Sequence, residues 1–157
     1  METKLSTHRL DALFLRDKNL VDDVIGKMSF TDAMFYHIVG TPPTRGQTAV
    51  LDAVLVTLME HGLTPSAIST RLTYLSAPEA MQSAIAAGLL NVGSQFIGTM
   101  ENTATLLAKI HSDPAGVEAS CQQIAQQHKD TGKHIPGFGH HLHRPDDPRS
   151  PKLFAIA

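Results

Sequence analysis

Sixteen residues, His134-Ile-Pro-Gly-Phe-Gly-His-His-Leu-His-Arg-Pro-Asp-Asp-Pro-Arg149, concentrate most of the reactive chemistry of this chain. They hold four of its nine histidines, two arginines, two aspartates and three prolines. Regular structure is excluded there, because Pro136, Gly137 and Gly139 interrupt any helix or strand and Pro145 and Pro148 restrict the residues before them. Three chemistries fit such a loop. A metal site would use His140, His141 and His143 with Asp146 or Asp147, although neighbouring histidines on one loop rarely converge on one ion and no His-x-x-x-His lies on a helix. A solvated polar turn with one structural histidine is the plainest alternative. In an anion site, the glycines would let backbone N–H groups approach a ligand, an imidazole would donate to a carbonyl or carboxylate oxygen, and Arg144 and Arg149 would clamp carboxylate or phosphate. Outside the loop, Glu60-His61-Gly62 closes a long helix, where a histidine is a favourable cap charge.

The remaining composition narrows the class of protein. The chain has 157 residues, 42% of them hydrophobic, with no tryptophan and few aromatics. A core of Ala, Leu, Ile, Val and Met suits packed helices, and the expectation is an all-α fold of six or seven helices. A formal charge of −2 gives no bulk electrostatic reason to expect nucleic acid or an anionic membrane. The single cysteine, Cys121, excludes an internal disulfide and a Cys-based zinc site, and fits a cytoplasmic protein. No apolar run reaches the length of a membrane span, and the N-terminus lacks the apolar segment of a signal peptide.

Local signals place the elements that must position the loop. Leu13-Phe14-Leu15 and Arg16-Asp17-Lys18-Asn19 read as a short strand and a turn. Ser29-Phe-Thr-Asp32 opens a helix that Gly40 closes in the left-handed cap position. Thr44 and Gln47 form a second capping box, for a helix ending near His61-Gly62 whose Val50, Leu51, Val54, Leu55 and Leu58 share one face. Thr64-Pro65 opens a third helix and Pro78-Glu79 a fourth, Met81 to about Asn91, whose Ala residues and Gly88 permit close helix approach. A fifth is expected over Thr99–Ile110. Asp113-Pro114 is expected to cap a polar sixth, to about Lys129. Ser150-Pro151 would start a last helix that stops in apolar residues, the pattern expected of a truncated product.

Three of these regions resemble a known family. Ile135-Pro-Gly-Phe-Gly-His140 followed by Asp147-Pro-Arg149 resembles the signature of the citrate synthase family. Arg16, Met28-Ser-Phe-Thr-Asp32 and Gly40-Thr-Pro-Pro-Thr44 are similar to its N-terminal motifs. Ala84-Ile-Ala-Ala-Gly-Leu-Leu90 resembles the helix leading to its first catalytic histidine. The loop wording and the short lead-in are most similar to the compact citryl-CoA lyase branch. The resemblance implies a citrate synthase-like fold, with residues 1–98 as a portion of the large domain and 99–157 as the beginning of the small one. It implies a homodimer acting on oxaloacetate and acetyl-CoA, or on citrate and citryl-CoA, with a coenzyme A thioester as substrate and no permanently bound cofactor or metal. By the same resemblance His140 is the catalytic histidine on the oxaloacetate carbonyl and Arg149 holds a substrate carboxylate. His61 is a second substrate ligand, and Arg144 a cofactor-binding residue near the CoA phosphates.

The departures are as informative. Gly93-Ser-Gln-Phe-Ile-Gly98 stands where the family has its first catalytic histidine, and Ile97 cannot donate to a thioester oxygen. The family's catalytic aspartate lies beyond the Asp-Pro-Arg motif, past Ala157. Loss of either group costs about 10²–10⁴-fold in rate. Two expectations therefore stand side by side. One is an enzyme of Claisen or retro-Claisen type whose isolated 157 residues are inactive, and the other is a non-catalytic di- or tricarboxylate-binding family member.

Overall fold

The computed structural model describes residues 3–59, 62–93, 98–140 and 142–157. It is helical apart from one small sheet and divides into two compact units. One comprises residues 1–60 with 148–157, the other residues 61–147.

In the first unit, β1 (Ser6–His8), β2 (Leu13–Leu15) and β3 (Lys18–Asn19) form an antiparallel meander in that order. Thr7 pairs with Phe14, and Phe14 in turn with Asn19. The strand expected at 13–15 is present, and it has partners on both sides that its short neighbours did not announce. A π-helical turn, Leu20–Val24, follows, started by the Asn19 side chain accepting from the N–H groups of Val21 and Asp22 at 2.9 and 3.2 Å.

Helix α1 (Phe30–Val39) begins at the expected capping box, with the Ser29 hydroxyl accepting from Asp32 N and the Asp32 carboxylate from Ser29 N. It ends at Gly40, with φ of +93°. Gly40 is needed for a second reason. A Cβ there would stand 2.9 Å from Nη1 of Arg16. Arg16 turns the β2–β3 hairpin at φ +56° and donates from Nε and Nη2 to the His37 carbonyl (3.2 and 2.9 Å) and from Nη2 to that of Ile38 (3.2 Å). These carbonyls are among those a helix end leaves without intrahelical donors, and a cation is favourable there.

Helix α2 (Arg45–Met59) starts at the second expected box, Thr44 N donating to Gln47 Oε1 and Gln47 N to Thr44 Oγ1. Reciprocal polar bonds tie α1 to α2. Thr31 donates to Asp52 at 2.8 Å and Thr48 to Asp32 at 2.5 Å. Helix α7 (Arg149–Ile156) packs on α2, and Ala157 lies at a groove of about 540 Å³ lined by Phe35, Val50, Leu51 and Val54.

In the second unit, α3 (Pro65–Ser76) carries the expected Thr64 cap and first-turn proline. It packs closely on α4 (Met81–Leu89). Gly88 makes this possible, since a Cβ would overlap the Thr70 hydroxyl and lie 3.4 Å from the Ser66 carbonyl. Helices α5 (Thr99–Ser112) and α6 (Val117–Thr131) pack on each other. Asp113 does not cap α6 as expected. It ends α5, and its Oδ1 accepts from Ala115 N at 2.9 Å in a local turn. Gly116, at φ +88°, then stands in the cap position of α6. The aspartate satisfied a nearer N–H first, the usual competition between a local side-chain turn and a cap. The last helix also starts one residue earlier than its Ser150-Pro151 signal, at Arg149.

Among the described residues the buried apolar side chains are Val24, Tyr36, Ala84 and Ile124. The apolar side chains of α3 and α4 stay largely open, with Leu72, Leu75, Met81, Ile85 and Leu89 exposed. Polar locks therefore carry much of the local order. Tyr36, 1% exposed, donates its hydroxyl to Asp17, while Lys18 stands 5.7 Å over its ring. The Tyr36 hydroxyl, and then Asp17's own N–H, hold the Asp17 carboxyl below its usual value. Burial and then the Asp17 bond push the phenol up. The Thr48 and Ser29 hydroxyls likewise lower Asp32.

Two expected outcomes follow from these packings. Gly88→Ala gains helix propensity of about 1 kcal/mol but forces α3 and α4 apart, at about 1–3 kcal/mol. Urea unfolding is expected to show net destabilisation that Thr70→Ala in the same chain largely relieves. A stabilised Gly88→Ala chain would contradict the close approach. The second outcome concerns acid. A carboxyl lowered in the folded state adds stability above its unfolded value of 3.8 and loses it as pH falls through the lower folded value. Tyr36→Phe is expected to bring the Asp17 titration back towards 3.8, followed by NMR, and to make acid unfolding begin at higher pH. An unchanged Asp17 titration would rule out the Tyr36 bond as its cause.

Candidate functional site

The loop lies in the second unit as far as Asp147 and is built on the ends of two helices. Helix α6 stops at Gly132, φ +64°, whose N–H reaches the carbonyls of His128 and Lys129. Ile135 to Phe138 then make a tight turn, Phe138 N donating to the Ile135 carbonyl at 3.1 Å. Proline second and a glycine of φ +85° third are what a type II turn requires. Gly137 also sits against α5, where a Cβ would lie 2.7 Å from the Thr103 hydroxyl. Gly139, φ +91°, has nothing within 4 Å of its Cβ position, so only its backbone conformation calls for glycine.

These turns deliver His140, which is half-buried. Its Nδ1 accepts from the N–H groups of Leu142 and His143, both at 3.1 Å. A nitrogen that accepts two N–H bonds carries no proton, so the proton of the neutral ring is on Nε2 and Nε2 is its donor. The ring stacks on that of His143, centroids 4.7 Å apart and planes at 28°. Asp147, half-buried, joins them, with one donor atom of each of the three side chains within 4.8 Å of the others.

That trio has the composition of a cation site. The geometry at His140 argues against the use. A metal takes a ring nitrogen that bears no proton, which here is Nδ1, already occupied by two N–H donors. Binding through Nε2 would move the proton to Nδ1 and oppose it to both N–H groups. The arrangement suits an uncharged imidazole that donates one hydrogen bond to an oxygen, the task of a group facing a carbonyl on which negative charge develops.

The other residues singled out from the sequence fall elsewhere. Arg149 belongs to the first unit, as the opening residue of α7 behind Pro148, and is half-buried. A helix N-terminus is the positive end of its dipole, and an arginine there reinforces it, so both attract an anion. Arg144 is exposed in the loop. His61, Ile97 and His141 lie outside the described residues. On sequence grounds His143 figured only in the metal alternative, yet its backbone N–H donates to His140 and its ring stacks on it. The signal was its position three residues after His140 on a glycine-released loop, which brings the two rings together only if the chain turns back there.

The sequence matches the family described as citrate synthase, C-terminal domain, over residues 10–157. No curated protein matches it. Among solved structures, citryl-CoA lyase from Hydrogenobacter thermophilus superposes with a TM-score of 0.87 at 29% identity, over 99% of this chain and 59% of that one. ATP citrate lyase of Methanosaeta concilii, in complex with (3S)-citryl-CoA, gives 0.82 at 20% identity. That of Methanothrix soehngenii, in complex with citrate and coenzyme A, gives 0.83 at 20%. Each is matched over 99% of this chain and 25% of its own length. The chain thus spans about three fifths of the lyase and a quarter of the ATP citrate lyases. With the family pattern running through residues 10–157 and the same helical fold beneath it, this protein belongs to the citrate synthase family.

Proposed function

We propose that the chain is part of a citryl-CoA lyase or citrate synthase type enzyme, catalysing retro-Claisen cleavage of citryl-CoA or the Claisen condensation of acetyl-CoA with oxaloacetate. The observation that carries this reading is the fixed donor of His140, its Nδ1 held by two backbone N–H groups. In either direction one oxygen alternates between the ketone of oxaloacetate and the alkoxide of the citryl group. A pre-oriented N–H stabilises the charged form without reorganising. The partial likeness to citryl-CoA lyase supports the same chemistry.

The other roles complete the reading. Arg149 holds a substrate carboxylate through its planar fork, His61 is a further ligand of the same substrate, and Arg144 meets the phosphates of coenzyme A. The thioester is a substrate, with no permanently bound cofactor. The working enzyme is a homodimer in the cytoplasm, and residues 1–98 and 99–157 contribute to its large and small domains. The 157 residues alone bind the dicarboxylate without turning it over, because no residue among them takes the place of the base for the acetyl α-proton.

A second reading is favoured by one observation, the isoleucine at 97 where the family carries its first catalytic histidine. It makes the protein a carboxylate-binding member without chemistry. Calorimetry with oxaloacetate and citrate, paired with an assay of CoA release from citryl-CoA, separates the readings. The expected result is binding that His140→Ala and Arg149→Ala each weaken about 10- to 100-fold, the range for a hydrogen bond to a charged group. Turnover by a chain extended to the length of the citryl-CoA lyase it resembles, absent from the 157-residue chain, selects the enzyme, and binding with no turnover in either selects the second reading. A folded chain that binds neither acid would remove both.

A further inference from the structure

We draw no further inference here: the strongest candidate, the exposed apolar surface of α3 and α4 around the groove lined by Thr70, Tyr74, Leu75 and Met81, carries none because nothing in the structure shows what covers it.

Discussion

Two backbone N–H groups meeting on one nitrogen of His140 decide what the loop can do. A neutral imidazole has one proton and two nitrogens, and whichever nitrogen accepts, the other must donate. The chain must double back within three residues for Leu142 and His143 to reach His140. That demand explains the backbone before it. Gly137 and Gly139, at φ +85° and +91°, supply conformations other residues adopt at a cost. Thr103 on α5 leaves no room for a side chain at Gly137, so the turn can press against the helix that supports it. Gly132 first stops α6, so that the turn begins within reach of α5.

The same economy appears away from the loop. Few apolar side chains are buried among the described residues, so order depends on groups with directed bonds. Arg16 ties the hairpin to the C-terminal carbonyls of α1, and the Thr31–Asp52 and Thr48–Asp32 bonds tie α1 to α2. Helix α2 in turn receives α7, whose first residue is Arg149. Arg149 thus stands on a unit whose helices are tied, through polar bonds between α1 and α2 and the packing of α7 on α2, back to the β2–β3 turn. Arg16 matched a family motif in the sequence, and its role here is to hold backbone.

What was legible in the sequence was what is decided within four residues. The caps at Ser29, Thr44, Thr64 and Gly40 lie where they were expected, because a capping bond is made by neighbours. Asp113 was misplaced for the same local reason: its carboxylate had a nearer N–H to satisfy at Ala115. The Ser120 hydroxyl lies close enough to favour the charged form of Asp113 further, although it has no partner in hydrogen-bonding geometry. The hairpin partners of Leu13–Leu15 were not legible, since segments of three and two residues without alternation announce no strand. Of the loop, the motif singled out His140, where two backbone N–H groups converge. The company His140 keeps was hidden, because stacking at His143 depends on the path of the loop.

That path also resolves an ambiguity that composition cannot. Two histidines and an aspartate gathered within 4.8 Å are as suited to a cation as to a substrate when counted by residue type. What separates the two is the direction of backbone hydrogens. A metal site typically turns a ring N–H outward to a carboxylate or carbonyl and keeps the other nitrogen bare for the ion. At His140 the bare nitrogen is turned towards N–H donors, which leaves the proton of the neutral ring on the other nitrogen. Any chain segment that set a carbonyl in place of those N–H groups would convert the same three side chains to the opposite use. The chemistry of the loop is therefore written in its turns as much as in its histidines, and the glycines that permit those turns are as much part of the site as the ring they orient.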